Sequence, residues 1–233
     1  MSTKTAAQAF ADATSAIVDG RDILDIVHHL LRDCASLVDA DAVGVMVTTG
    51  SGQMELLAAT SHRVAELELF QAQHDHGPCL DAVRYGEQVA ARSAEEIRTR
   101  WPQVGPTIVG SGYAAVYAFP MRWHGRVVGG LNVFKAGADD DEVTSLLLGQ
   151  AFADVTTVVV VQSAEGSADD LNARVRKVVG ARASIERAKG VLAYQHNVDL
   201  AEAYERLLNE SRDNGPTLTD AAEEIVRRAH RPG

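Results

Sequence analysis

Residues 171–229 read LNARVRKVVGARASIERAKGVLAYQHNVDLAEAYERLLNESRDNGPTLTDAAEEIVRRA, and their spacing settles the fold of the C-terminal part. Leu171, Val175, Val178, Ile185 and Leu192 recur at intervals of three, four or their sum of seven, so they share one helical face. Arg182 and Lys189 fall on the same seam, beside the small residues Ala181 and Ala188. Burying an unpaired charge is expensive. The seam is therefore expected to leave a helix–helix contact and run into solvent, presenting Arg182, Arg187 and Lys189 within about two turns.

Two further helices have clear start signals. Asp199 with Glu202 three residues on is a carboxylate form of the capping box, ahead of Leu200, Ala203, Tyr204, Leu207 and Leu208. Asn214-Gly215-Pro216 breaks the chain, and Thr217 with Asp220 opens a last helix carrying Leu218, Ala221, Ala222, Ile225 and Val226. Three short amphipathic helices joined by tight turns make a small all-α bundle, marginal alone and helped by docking or dimerising.

The run Arg182, Ile185, Glu186, Ala188, Lys189, Gly190 and Leu192, followed by Ala203, Tyr204, Leu207, Leu218, Asp220 and Ala222, resembles the ANTAR family. That family comprises RNA-binding output domains of transcription antitermination regulators. The resemblance implies RNA stem-loops as partner and Arg182, Glu186, Arg187, Lys189, Gly190 and Arg212 as the RNA-binding set. Lys189 would contact phosphate, Arg182 and Arg187 would serve as backbone or base-edge donors, and Gly190 would let a nucleotide approach. The turn Asn214-Gly215-Pro216-Thr217 departs from the family, where this turn is often basic or amide-rich. Tyr204 is expected in the core rather than stacked on a base, because it sits beside Ala203 and Leu207. Read without the resemblance, Arg174, Arg176, Lys177, Arg187 and Arg206 make an ordinary solvated face paired with nearby glutamates.

Residues before this region have a different character. From 167 to the end there are 11 basic and 11 acidic residues, leaving 11 basic and 21 acidic ahead of them, so the net charge of −10 lies in the first 166. An acidic body repels phosphate, which confines nucleic-acid contact to the C-terminal helices. The chain of 233 residues, 46% hydrophobic, suits one sizeable domain plus a small one. No run of about 18 consecutive apolar residues offers a membrane span. The first twenty residues lack the pattern of a secretion signal, and Cys34 and Cys79 are too few for a disulfide framework. A cytoplasmic protein is the expectation.

Ile23 to Leu37 reads as an amphipathic helix, Ala42 to Thr48 and Met54 to Thr60 as strands around the turn Gly50-Ser51-Gly52. A helix near His62 to Gln73, a loop HDHGPCLDAV leading into a helix at Cys79 or Leu80, and a short strand at Gln88 to Ala91 follow. Tyr113 to Met121 and Arg126 to Phe134 form a hairpin across His124-Gly125, and a long helix starts at Asp141. This order predicts an α+β fold, an antiparallel sheet with helices on one face. Gly77-Pro78-Cys79, Arg100-Trp101-Pro102, Phe119-Pro120-Met121 and Gly125 to Val133 resemble the GAF family of actinobacterial regulators, which implies a sensor without naming its ligand. The organisation is an N-terminal helix or arm at 1–20, a GAF-like sensor at 21–162 and an ANTAR-like bundle at 163–233.

Other chemistry is thin. His74, Asp75, His76 and Cys79 lack a fourth ligand and a paired motif, so no metal is expected. Cys79 at a helix N-terminus is a candidate redox sensor, because the helix dipole favours a thiolate; it also has a packing role as part of Gly-Pro-Cys. There is no phosphate loop, nucleophile elbow or His-Glu-x-x-His motif, and no enzyme is expected. Gly129-Gly130 inside a strand marks a bulge or a close backbone approach. No cofactor is expected beyond an unidentified small-molecule ligand of the GAF-like part.

Val155, Val158 and Val159, then Leu171, Val175 and Val178, are expected to form the seam of a parallel homodimer, through a connector interrupted at Gly166 with a second helix opening at Ser167. Tethering two weak sites would multiply affinity for paired hairpins. The function expected is a signal-responsive regulator that captures stem-loops in nascent transcripts and prevents termination, with no DNA or membrane partner. The alternative is a non-enzymatic sensor or adaptor acting through protein contacts, redox-responsive through Cys79.

Overall fold

A computed structural model of the chain describes residues 4–137, 142–162, 171–214 and 217–230, with the side chains of 171–178, 201 and 212–214 outside that description. Two helices open it, α1 (Ala6–Val18) and α2 (Ile23–Leu37), followed by strands β1 (Ala42–Thr48) and β2 (Met54–Ala59). Helices α3 (His62–His74) and α4 (Pro78–Tyr85) lead to the short β3 (Val89–Ala91). Two brief helices, α5 (Ala94–Arg100) and α6 (Gly105–Gly110), precede β4 (Ala115–Trp123) and β5 (Arg126–Lys135). The remainder is helical: α7 (Glu142–Gln162), α8 (Leu171–His196), α9 (Leu200–Asn214) and α10 (Leu218–Ala229).

The five strands form one antiparallel sheet in the order β2-β1-β5-β4-β3. The β4–β5 hairpin turns through His124 at φ 47° and Gly125 at φ 78°, the pair of positive φ angles that a tight hairpin turn requires. Asp22 caps α2 by accepting from the Leu24 and Asp25 amides. Thr5 and Gln8 make a capping box, so residues 6–18 form a helix that packs through Ala9 and Ala13.

Helices cover both faces of the sheet, which corrects the expectation of one covered face. Val43, Val45, Val47, Tyr117, Phe119, Leu131 and Val133 pack towards α1, α2 and α7. Ala42, Val116, Ala118 and Phe134 face Val64, Leu67, Ala82, Ile97, Trp101, Val104 and Ile108 of α3 to α6 and their joining segments. The cause is visible in the strands themselves. Ala42 to Val47 is a continuous buried run rather than an alternation, as a strand packed on both sides must be.

Close approach explains two of the glycines. A Cβ on Gly129 would lie 2.2 Å from the Met46 carbonyl oxygen, and one on Gly149 would lie 2.3 Å from the Phe119 ring. The first confirms the tight approach read from Gly129-Gly130; the register shift on this hairpin falls in β4, between Met121 and Arg122. Helix α7, at 21 residues, meets the length and composition of a membrane span, although no unbroken apolar run marks it in the sequence. It lies on the sheet with Phe152, Ala153, Val159 and Val160 buried in the core. Residues 163–170, where the connector break at Gly166 and the helix start at Ser167 were expected, lie outside the described residues.

Candidate nucleic-acid interface

The C-terminal bundle assembles as its apolar spacing dictates. Ile185, Ala188 and Leu192 of α8 are buried with Ala203, Leu207 and Leu208 of α9 and Leu218, Ala221, Ala222 and Ile225 of α10. Asp199 accepts from the Glu202 amide at 2.8 Å and Thr217 from the Asp220 amide at 3.1 Å, closing the starts of α9 and α10.

On this scaffold the expected RNA-binding residues divide between two flanks of α8. Arg182, Glu186 and Lys189 share one flank with Tyr204 of α9, and that flank faces the N-terminal domain. The Lys189 side chain is 15% exposed and Arg182 22%. Lys189 Nζ donates to both oxygens of Glu186 at 3.0 Å and lies 5.6 Å from the centre of the Tyr204 ring. Arg182 lies 3.9 Å from Glu186. This corrects the expectation that the seam opens into solvent. The aliphatic stems of both cations are covered by packing, and Glu186 meets the heads.

Direct contacts hold this flank to the N-terminal domain. The His28 and Tyr204 rings meet edge to face at 4.8 Å, and Thr219 donates from its amide and its hydroxyl to Asp22 Oδ2 at 3.2 and 2.5 Å. Arg32 and Glu205 pair at 3.8 Å. Between the two parts runs a cleft of about 570 Å³, bordered by His28, Asp41, Glu66, Arg182, Lys189 and Glu205 among others. His28 is pushed down to about 4, by burial first and then by His29 and Arg32, so its ring is neutral against Tyr204 at neutral pH. Tyr204 is half-buried, packed against the core and the His28 ring rather than fully within the bundle, and burial pushes its hydroxyl up.

Arg187 and Gly190 occupy the other flank, turned away from the N-terminal domain. Arg187 donates to the Ala183 carbonyl at 3.1 Å and to Ser184 Oγ at 3.5 Å. Next to them Tyr194 is 90% exposed, with Arg227 and His230 across a shallow groove from α10. Sequence reading passed over Tyr194. The signal was present: Tyr194 is nine residues from Ile185, half a helical turn out of phase with the buried seam. The side chain of Arg212 lies outside the described residues.

A second polar group is buried under the sheet. Glu68 accepts from Asn132 Nδ2 at 2.6 Å and from Gln71 Nε2 at 2.9 Å, while Gln71 Oε1 accepts from the Cys79 amide at 3.2 Å. All four residues are buried, and Asn132 Oδ1 has no hydrogen-bond partner. Burial raises Glu68 to about 8, opposed by the hydrogen bond from Asn132. The Cys79 thiol is pushed well up by burial and then by Glu68. Burial therefore works against the thiolate that the helix dipole would favour at Cys79. His74 and Asp75 do not join Cys79. His74 Nδ1 lies 2.9 Å from the Phe70 carbonyl, Asp75 pairs with Arg84, and among the described residues no three His, Cys, Asp or Glu side chains converge as metal ligands.

Comparison with known proteins separates the same two parts. Residues 173–226 match the ANTAR domain. The GAF domain of an Acinetobacter phosphoenolpyruvate-protein phosphotransferase superposes with a TM-score of 0.52 at 14% identity, covering 66% of this chain and 92% of that one. The corresponding GAF domain from Coxiella burnetii gives 0.52 at 11%, covering 68% and 94%. At such identity the likeness is one of fold. No curated protein matches the chain.

Proposed function

The chain joins a domain of GAF fold to an ANTAR domain, and from that premise we propose that it is a signal-responsive RNA-binding regulator. ANTAR domains are RNA-binding antitermination modules, and the observation that carries the reading is the match over residues 173–226, folded as a three-helix bundle. The bundle captures stem-loops in a nascent transcript and thereby keeps a terminator hairpin from forming. Bases splayed from a hairpin loop suit this recognition, because the deep groove of an RNA duplex is closed to side chains. The protein acts without catalysis and without DNA, in the cytoplasm.

The contacts between the two parts supply the route for a signal. Asp22, the cap of α2, with His28 and Arg32 of that helix, holds Thr219, Tyr204 and Glu205, so a shift of α2 moves α9 and α10 together. A small molecule bound by the GAF-type domain would bias that docking. Pairing of two chains along α7 would bring two bundles together. Val143 and Leu147, 69% and 68% exposed, lie on its outer face, and Val155 and Val158 are half-buried. Val159 is used up in its own core, and the side chains of Leu171, Val175 and Val178 lie outside the described residues.

An adaptor acting through protein contacts is the second reading, favoured by one observation: the signature cations Arg182 and Lys189 are engaged within the chain. Transcription through a terminator preceded by two hairpins separates the readings. Read-through that rises with added protein, and not on a template with scrambled hairpins, supports the RNA regulator. Unchanged termination at protein concentrations well above that of the template favours the adaptor.

A further inference from the structure

We infer that RNA is gripped on the outward groove between α8 and α10, with an unstacked loop base lying on the ring of Tyr194 and phosphates held by Arg187 and Arg227. This rests on the RNA-binding reading and assigns its site to residues that the signature run mostly omits.

Four observations converge on this groove. The opposite flank is less available, because Arg182 and Lys189 are largely covered and paired with Glu186, and the cleft in front of them carries Asp41, Glu66 and Glu205 beside Arg32. A polyphosphate entering there would have to displace Glu186 from both cations and pass three further carboxylates of the cleft. Second, Tyr194 is 90% exposed, whereas Tyr204 is packed against His28. An aromatic ring held out on a rigid helix is the platform on which single-stranded bases stack, whatever their identity. Third, Gly190 sits one turn from Tyr194 inside α8, where glycine costs roughly 1 kcal/mol relative to alanine. Nothing lies within 4 Å of where its Cβ would be, so packing gives no reason for it. A bare stretch of backbone beside an aromatic ring is what a closely approaching nucleotide needs. Fourth, among the described residues no carboxylate lies within ion-pair distance of Arg187, whose donors reach only Ala183 and Ser184 of its own helix. Arg227 pairs with Glu224 yet is two-thirds exposed, and surface pairs of this kind yield readily to phosphate. Glu223 on the same rim repels phosphate but can accept from the amino group of a base.

The test uses the full chain, titrated with a labelled two-hairpin RNA and with a scrambled strand of equal length. Tyr194 is so exposed that Tyr194→Ala leaves the fold intact, which circular dichroism verifies. That variant should bind the hairpins roughly 5- to 150-fold more weakly, the loss expected for one stacked base, while Tyr194→Phe keeps the ring and stays close to wild type. Arg187→Ala should lower the slope of log affinity against log salt by about one, whereas Tyr194→Ala leaves it unchanged. If wild type binds the hairpins selectively and Tyr194→Ala binds equally well, this site is wrong while the RNA reading stands. If wild type shows no preference for the hairpins, both fall together.

Discussion

Replacing Glu68 by glutamine should make the protein more stable at pH 8 and remove a pH dependence that wild type must show. Glu68 is fully buried between α3 and the sheet, and burial raises it from 4.5 to about 8. The folded chain therefore keeps this proton over a range in which the unfolded chain gives it up. Below pH 4.5 both states are protonated and the contribution is complete. As pH rises from 4.5 towards 8, stability falls by about 1.4 kcal/mol per unit, and above 8 it levels off. Over the 3.5 units between those values the loss is at most about 5 kcal/mol, a large part of the 5–15 kcal/mol typical of a whole domain. Glutamine mimics the neutral acid: its carbonyl accepts from Gln71, and once the Asn132 amide turns over, its NH2 donates to Asn132 Oδ1, the atom now without a partner. Urea unfolding followed by tryptophan fluorescence, from the buried Trp101 and the half-buried Trp123 of β4, reads the sensor directly. The gap between Glu68→Gln and wild type should be near zero at pH 4.5 and grow to several kcal/mol in favour of the variant by pH 8. Taking the difference cancels His28 and every other titrating group that the two proteins share. A gap that does not change with pH, or a variant weaker than wild type at pH 8, refutes the reasoning.

Other parts of the molecule give sharper local outcomes. Gly149→Ala drives a methyl to within 2.3 Å of the buried Phe119 ring, so it should cost about 1–3 kcal/mol in the same urea assay, and an unaltered midpoint would contradict the packing of α7 on β4. Cys34 and Cys79 are both buried with their thiols pushed up, so an aromatic disulfide reagent at pH 8 should label neither thiol until the chain is unfolded; fast labelling of Cys79 would favour the redox sensor. His28, held at about 4 against Tyr204, stays neutral while an unfolded histidine charges near 6.5, so its contribution to docking is full above 6.5 and is lost as pH falls to 4. Its ring proton should titrate near 4 by NMR and move back towards 6.5 in Tyr204→Ala; a normal value in wild type would show that the two parts do not meet there.

Much of the fold was legible because local chemistry and tertiary context agree. The read boundaries of α2 and β1 coincide with Ile23–Leu37 and Ala42–Thr48, since an aspartate cap and a full apolar period mark the first and a β-branched run marks the second. Helices α5 and α6 escaped because seven and six residues are too few to show an apolar period, and they are held by Trp101, Val104 and Ile108 packing beneath the sheet. The buried trio Glu68, Gln71 and Asn132 was invisible for a related reason. Glu68 and Gln71 are one turn apart on α3, where a polar pair reads as solvated, and only the fold brings Asn132 of β5 to 2.6 Å from Glu68. The site was half legible. The spacing of Arg182 and Lys189 placed them correctly on the packing seam, but a helix pattern cannot say which neighbour covers a flank. Here it is the first domain, so the residues expected in solvent are covered. Tyr194, opposite the seam, is the aromatic left in water.

The most direct test of the account is the affinity of the purified full chain for a two-hairpin RNA against a scrambled strand of the same composition, at two salt concentrations. Preferential binding to the hairpins that weakens steeply as salt rises is expected, because phosphate contacts release counterions. Equal affinity for both strands, or no binding at the lower salt, would contradict it.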